Sequence, residues 1–205
     1  MSTDYIERST AIINQIEGLE LVPHAMRPLA DGEPVAIERL ATAAGRPVAE
    51  VEAALGEQTS AELDADGRLI GLGLTLRPTP HRYLLDSRTV FAWCASDALT
   101  FPVVLGRPGI IEAACGSTGQ PIRVELTPER VERVEPSTAV VSAVRPAGQV
   151  TDDVRSAICQ HGQFFISPDA AAQWAAEHPM GEIRPVEEAF AADRAVVTQV
   201  GWAAG

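Results

Sequence analysis

The sequence predicts an α+β fold: an N-terminal winged-helix-like helical domain packed on a C-terminal mixed α/β-sheet domain. Residues 1–80 follow the order helix, turn, helix, hairpin, which is the outline of a winged helix. Pro78 and Pro80 then mark a junction. Beyond them, short apolar runs alternate with helical patterns, which is typical of a sheet covered by helices. We therefore expect two domains, at residues 1–80 and 81–205.

The spacing of apolar residues places the first helices. Isoleucines recur at rough helical spacing over residues 3–17, and Gly18 closes this helix. A second helical stretch covers residues 19–30 and is interrupted by Pro23 and Pro28.

The helix pair and the hairpin of the winged-helix outline follow. An apolar stripe over residues 34–45 predicts a helix that ends at Gly45, where a C-cap glycine belongs. Pro47 opens the next helix, at residues 48–58, because its missing N–H has no helical partner in the first turn. Residues 60–72 then alternate around an Asp-Gly turn, which predicts a hairpin.

The C-terminal part is predicted to contain both strands and helices. Short extended or apolar runs predict strands at residues 82–85, 110–114, 121–126, 139–145 and 163–166. Helical patterns occupy residues 89–99, 152–159, 168–177 and 186–200, and a turn or helix start is expected at residues 127–131. Ser167 is a candidate N-cap with Pro168 as the first helical residue. Pro102 is expected to end the helix that holds residues 94–97.

The charge balance argues against binding to nucleic acid or to a membrane surface. Lys plus Arg number 16 and Asp plus Glu number 28, which gives a net charge of −12 without a basic patch. The helix that would enter a DNA groove carries Glu50, Glu52 and Glu57 and no basic residue. We therefore expect the winged-helix outline to serve packing rather than DNA recognition.

The chain shows no signal peptide and no apolar stretch near the roughly 18 residues of a membrane span. We expect a cytoplasmic, soluble protein whose 3 cysteines are reduced. An odd number of cysteines cannot pair completely, and the sequence has no Cys-x-x-Cys pair. This composition argues against a zinc ribbon and against a thioredoxin-type redox site.

Two thiols and a carboxylate are the candidate functional groups. Cys94 and Asp97 are three positions apart, so on a helix they share one face. The carboxylate can accept the thiol proton, and the positive end of the helix is expected to lower the thiol pKa. Cys159 lies near a helix end before a strand, a frequent place for functional groups. On spacing alone, a core cysteine beside a solvated aspartate is the favoured alternative.

Two other candidates are expected to be structural. His161 lies close to Cys159 and could serve catalysis, but a partly buried structural histidine is the preferred interpretation. Cys115 ends a strand-like run before a glycine-rich turn that lacks the Gly-Lys-Ser/Thr of a phosphate loop. We interpret Cys115 as structural too.

The sequence around these residues resembles the organomercurial lyase (alkylmercury lyase, MerB) family. The most specific segments are residues 92–102, with Cys94 and Asp97, and residues 152–165, with Cys159. Similar segments surround the third cysteine and cover much of the N-terminal and C-terminal parts. The resemblance therefore extends over nearly the whole chain.

The chain departs from the family pattern at two positions. Gln160 stands where some members have a second cysteine, which puts a role for an extra thiol in doubt. Ser96 stands where other members vary.

The resemblance implies protonolysis of organomercury compounds to a hydrocarbon and Hg(II). It implies that Cys94 and Cys159 are the catalytic, mercury-binding thiolates and that Asp97 is the catalytic proton carrier, with all three around the Hg(II) product. It implies no cofactor; a small thiol is needed as a co-substrate to release Hg(II). A mercuric reductase is the expected mercury acceptor.

The chemistry of mercury agrees with these roles. Mercury is soft and prefers thiolate over carboxylate or imidazole ligands. One thiolate displaces the counter-ligand, a second weakens the mercury–carbon bond, and the acid protonates the departing carbon.

Two other function classes stay open. A soft-metal binding or delivery protein needs the thiols but not Asp97, and a metal-responsive regulator rests only on the winged-helix outline.

Overall fold

The computed structural model describes residues 3–57, 60–144 and 153–204. Its α-helices are α1 (Thr3–Gln15), α2 (Val22–Leu29), α3 (Ile37–Ala44), α4 (Val48–Glu57), α5 (Ala95–Leu105), α6 (Val154–Ala157), α7 (Ala172–Glu177) and α8 (Val186–Gln199). Its strands are β1 (Glu62–Leu63), β2 (Leu69–Leu72), β3 (Leu74–Thr75), β4 (His81–Leu85), β5 (Arg88–Ala92), β6 (Gly109–Ala114), β7 (Pro121–Leu126), β8 (Val131–Glu135), β9 (Val140–Ala143), β10 (Phe164–Phe165) and β11 (Glu182–Pro185). Short 3₁₀ turns occupy Leu19–Leu21 and Cys159–His161.

The strands form two antiparallel sheets. The larger sheet has the order β1-β2-β3-β5-β4-β6-β7-β8, and the smaller one has the order β10-β9-β11. In the larger sheet, β4 pairs with β5 on one side and with β6 on the other, so that His81 lies between Ala92 and Ala113. Helices that precede and cover an antiparallel sheet make an α+β architecture, which confirms the predicted fold class.

The local outline of the N-terminal part also agrees with the prediction. Gly45 follows α3 with a φ of 64°, in the left-handed region that favours glycine. The next helix, α4, begins directly after Pro47 and exposes its glutamates. Strands β1 and β2 pair as a hairpin. In its turn, the Asp64 carboxylate accepts hydrogen bonds from the N–H groups of Asp66 and Arg68, at 2.9 Å each.

One sheet continues across the predicted domain boundary. Strand β3 pairs with β5, so that Leu74 lies opposite Ala92 and Thr75 opposite Phe91. The backbone hydrogen bonds of this sheet tie the N-terminal part to the rest of the chain. The division between residues 80 and 81 therefore stays a prediction.

The helix predicted at residues 89–99 is wrong in position. Residues 88–92 form β5, and α5 runs over 95–105. Residues 89 and 90 are β-branched, and pairing on both sides of the strand outweighs the helical pattern. Pro102 does not end the helix but lies inside it, and Gly106, with a φ of 67°, ends it. Because α5 is buried over most of its length, packing outweighs the hydrogen bond that the proline removes.

Three further strands, β3, β8 and β11, were not predicted. Strand β8 begins at Val131, where a turn or a helix start was expected, and β11 covers residues 182–185. Strand β8 is an edge strand with mostly charged, exposed side chains, so it lacks the apolar alternation that identifies a half-buried strand.

The ends of other elements shift as well. The helix expected from Pro168 begins at Ala172, and the Ser167 hydroxyl instead accepts a hydrogen bond from the Ala170 N–H, at 3.2 Å. The predicted ends at Gln58, Arg145 and Asp152 lie outside the described residues.

The helix α5 lies at the centre of the packing. It contacts α2, α8 and the strands around β5, and its apolar side chains are buried nearly all round. Because α5 begins directly after Cys94, this packing also fixes the position of the candidate site. Within the described ranges, the helices are too short or too polar for a membrane crossing.

The buried His81 side chain in β4 is expected to make the fold less stable at acidic pH. The side chain is buried, its ring centroid lies 5.8 Å from that of Phe164, and burial lowers its pKa to about 4. An unfolded histidine titrates near 6.5, so the unfolded state gains the proton first as the pH falls. The contribution of His81 to the free energy of unfolding is therefore fully present above about pH 6.5. It falls by ~3 kcal/mol as the pH drops to about 4.

Urea unfolding at pH 7 and at pH 4.5 measures this loss. We expect the His81→Phe variant to lose less stability between the two pH values than the unmodified protein, because phenylalanine has no proton to gain. Acidic residues titrate in both proteins and cancel in the comparison. Equal losses in the two proteins would contradict the assignment to His81.

Candidate active site

The structure brings Cys94, Asp97 and Cys159 together. Their two sulfur atoms and a carboxylate oxygen all lie within 4.8 Å of one another. Both cysteines are buried, at 3% and 6% exposed, and the aspartate is half-buried. Such a group can surround one ion, and its two sulfur atoms favour a soft metal. Across the part of the chain that the structure describes, no second group of three His, Cys, Asp or Glu side chains converges in this way.

Cys94 occupies the N-cap of α5. Its backbone is extended, with φ −148° and ψ 174°, and its Sγ accepts a hydrogen bond from the N–H of Asp97 at 3.4 Å. Serine, threonine and aspartate usually fill this position, so here sulfur takes the place of a capping oxygen. The cap fixes the sulfur over the first helical turn, where Asp97 also lies.

Cys159 begins the 3₁₀ turn that follows α6, and this turn packs directly on the start of α5. The carbonyl oxygen of Gly162 accepts a hydrogen bond from the Ala95 N–H at 3.0 Å. A Cβ at position 162 would lie 3.0 Å from the Cβ of Cys94 and 3.4 Å from its Sγ. The absence of a side chain at Gly162 therefore lets the two cysteine-bearing segments approach each other.

The Cys94 thiol keeps its proton in the free protein. A hydrogen bond with Cys159, burial and the negative charge of Asp97 together raise the pKa of Cys94 well above its ordinary value. The hydrogen bond from the Asp97 N–H acts in the opposite direction and is outweighed. The predicted lowering of the Cys94 pKa by the helix N-terminus is therefore wrong, because the hydrogen bond with Cys159, burial and the nearby anion outweigh it. Ionisation of this thiol is expected to accompany metal binding.

An arginine connects both cysteine segments to the N-terminal part. The guanidinium of Arg155, in α6, lies 5.3 Å from the ring centroid of Trp93 and pairs with the buried carboxylate of Glu62 in β1. Trp93 directly precedes Cys94, and Arg155 precedes Cys159 by about one helical turn. This contact helps to hold the two segments in register.

A largely apolar chamber with a cavity volume of about 130 Å³ lies beside the three residues. Helices α1, α2, α5 and α8 and the segment around Cys159 line it. Its apolar lining includes Ile12, Val22, Met26, Ile158, Val196 and Trp202. A chamber of this size and character can hold an organic group against the two sulfur atoms.

His161 pairs with another histidine. Its Nδ1 lies 3.1 Å from the Nε2 of His178, and the Nδ1 of His178 lies 2.8 Å from the Trp174 carbonyl oxygen. A carbonyl only accepts, so His178 donates through Nδ1 and receives the hydrogen bond of His161 at Nε2. Burial and His178 lower the pKa of His161. The pair connects the turn that carries Cys159 to the end of α7.

Cys115 lies outside the group of three. It is 3% exposed and follows β6. Burial opposes ionisation, but hydrogen bonds with Thr118 and Ser117 lower the pKa of this thiol to about 6. The structural role expected for Cys115 stays a prediction.

Two buried polar residues of the chamber were not predicted. Ser9 on α1 and Asp193 on α8 are buried, and both line the chamber. The Tyr5 hydroxyl donates a hydrogen bond to the Asp193 carboxylate at 2.5 Å. The sequence carries a signal for Asp193, because it stands in the apolar stripe of α8 between Phe190 and Val197. A charged residue in a buried stripe indicates a specific role or partner.

Known proteins match the chain over most of its length. The family model for alkylmercury lyase (MerB) matches residues 74–198, and that for the helix-turn-helix domain of alkylmercury lyase matches residues 19–73. The alkylmercury lyase of Bacillus cereus is 46% identical over 190 residues, which cover 91% of this chain and 86% of that protein. The alkylmercury lyase of Streptomyces lividans is 41% identical over 172 residues, which cover 82% and 79%.

A solved structure has the same fold. The crystal structure of the mercury-bound form of MerB2 superposes with a TM-score of 0.77 at 24% sequence identity, and the match covers 98% of this chain and 100% of that chain. At this identity the likeness concerns the fold alone. The family models and the curated relatives carry the assignment: the chain belongs to the alkylmercury lyase family.

Proposed function

We propose that this enzyme cleaves the carbon–mercury bond of organomercury compounds by protonolysis, with Cys94, Cys159 and Asp97 as the reacting groups. The observation that carries the proposal is the convergence of two thiols and a carboxylate within 4.8 Å, beside an apolar chamber. Membership of the alkylmercury lyase family supports the reaction type. The chemistry of the three side chains supports a separate role for each of them.

The first step exchanges the counter-ligand of the substrate R–Hg–X. A cysteine sulfur bonds to mercury, X departs, and the thiol proton moves to the Asp97 carboxylate. The raised pKa of Cys94 keeps its proton in place until mercury arrives. The metal then makes the thiolate the favoured form, as it does at other metal sites.

The second step breaks the carbon–mercury bond. The other cysteine adds a second sulfur–mercury bond and raises the electron density on the metal. Asp97 returns its proton to the carbon, and the electron pair of the carbon–mercury bond forms the new C–H bond. The second thiol releases its proton to solvent, where it balances the X⁻ released in the first step. The sum is one R–H, one HX and Hg(II) held by two thiolates.

Release of the Hg(II) product requires another soft ligand. Two thiolates hold Hg(II) firmly, so another thiol is the ligand that can compete for it. We propose small thiols as co-substrates and a mercuric reductase as the acceptor protein. The scheme uses no cofactor, since the reacting groups are side chains and thiols.

A soft-metal binding or delivery protein is the second candidate. The two buried sulfur atoms favour it equally, because binding needs both thiols but no acid. The two candidates differ in whether a hydrocarbon is released.

Detection of benzene from a phenylmercury salt tests the proposal. Purified protein is incubated with the salt and an excess of small thiol, and benzene is measured in the headspace. We expect release above the thiol-only control over many turnovers. Stoichiometric mercury binding without benzene would contradict the lyase proposal and favour the binding protein.

A further inference from the structure

Asp193 is a carboxylate that shares the chamber with the reacting groups but is not one of them. It is 4% exposed and lies on α8, and Ser9 on α1 lines the same chamber. The group of three side chains within 4.8 Å does not include it. The protonolysis proposed above therefore leaves Asp193 without a role in the chemistry.

Neighbouring residues hold this carboxylate in place. The Tyr5 hydroxyl donates to it at 2.5 Å, which joins α1 to α8 across the chamber wall. A donated hydrogen bond stabilises a carboxylate anion. The arrangement holds the Asp193 carboxylate at a fixed position beside an otherwise largely apolar lining.

The size of the chamber decides which part of a substrate can come near Asp193. Its cavity volume of about 130 Å³ is close to that of an apolar protein cavity that binds benzene, ~150 Å³. With mercury at the two sulfur atoms, the organic group R must occupy the remaining space, whose lining includes Asp193. A ring with a substituent opposite the mercury atom extends furthest into it.

We propose that Asp193 determines specificity, making the chamber select neutral and cationic organomercury compounds over anionic ones. The inference rests on the proposed function, because it requires R to occupy the chamber during cleavage. Charges interact strongly where apolar walls exclude water. A carboxylate on R is therefore repelled by Asp193, whereas an ammonium group is attracted.

Three arylmercury salts test the proposal: phenylmercury, anionic 4-carboxyphenylmercury and 4-(aminomethyl)phenylmercury, which is cationic at neutral pH. The value of kcat/KM is measured for each with excess thiol, and the two charged substrates are expressed as ratios to phenylmercury. In the Asp193→Asn variant we expect the anionic ratio to rise about tenfold and the cationic ratio to fall about tenfold. A change of shape or stability would move both ratios in the same direction.

Glu187→Gln is the matched control. Glu187 is exposed on α8 and is not among the residues that line the chamber, so the same loss of one charge there is expected to leave both ratios near those of the unmodified protein. Circular dichroism and a melting curve check that each variant folds.

The possible results distinguish failure of the specificity inference from failure of the proposed lyase function. Benzene release from phenylmercury, with both ratios unchanged in Asp193→Asn or shifted in the same direction, overturns the inference and leaves the lyase function intact. A lack of benzene release by the unmodified protein overturns the proposed function, and the inference with it.

Discussion

Replacement of Cys159 by serine is expected to lower kcat/KM for phenylmercury by at least about a thousandfold, a loss of ~4 kcal/mol of transition-state stabilisation. Serine is close to cysteine in size, but its oxygen is a hard, weakly acidic donor that mercury does not favour. Mercury then receives one thiolate instead of two, and the carbon–mercury bond is not weakened by the second. The initial rate of benzene release in excess thiol measures the effect.

Cys115→Ser is the matched control for this variant. Cys115 is also buried but lies outside the group of three, so the same atomic replacement there reports general damage to the fold. We expect Cys115→Ser to keep near-normal turnover. Wild-type turnover by Cys159→Ser, or equal losses in the two variants, would contradict the role given to Cys159.

Replacement of Asp97 by asparagine is expected to separate cleavage from binding. Asparagine has nearly the same shape but cannot take a proton from a thiol and return it to carbon. Loss of general acid–base catalysis lowers kcat by about 10²–10⁴-fold. Both sulfur atoms remain, so the variant still binds one Hg(II), which titration of the ultraviolet mercury–thiolate absorption measures.

Asp169→Asn is the control for the charge change. Asp169 is exposed and is not among the residues that line the chamber, so its loss leaves the site chemistry alone. Unchanged turnover by Asp97→Asn would exclude the aspartate as the proton carrier. Loss of mercury binding together with turnover would show that Asp97 chiefly holds the metal.

Only part of the candidate site could be predicted from the sequence. The proximity of Cys94 and Asp97 follows from their spacing, because three positions along a helix is a local distance. Cys159 lies on a separate segment, and only tertiary packing brings it to the other two. Its place in the site was expected from the family resemblance rather than from periodicity. The pKa of Cys94 was expected to fall because a helix dipole can be read locally, whereas burial cannot.

The fold could be predicted at positions where the backbone conformation suits only one or a few residue types. Gly45 and the Asp-Gly turn of the first hairpin marked their elements correctly, because few other residues suit those backbone conformations. Residues 89–92 were predicted to be helical. Pairing with β4 through a turn at Asp86, which has a φ of 53°, decides for the strand. Edge strands such as β8 expose charged residues and leave no apolar pattern to detect.

The contact between Gly162 and the start of α5 has a consequence for product release. Cys94 and Cys159 are separated by about 65 residues of chain, yet their segments share a hydrogen bond. A mercury ion bound to both sulfur atoms is then a cross-link that closes this long loop. In the chain-entropy treatment, such a closure stabilises the folded state by about 4 kcal/mol. Under the proposed mechanism, each turnover therefore ends with the chain cross-linked by mercury, and the acceptor thiol removes this cross-link together with the metal.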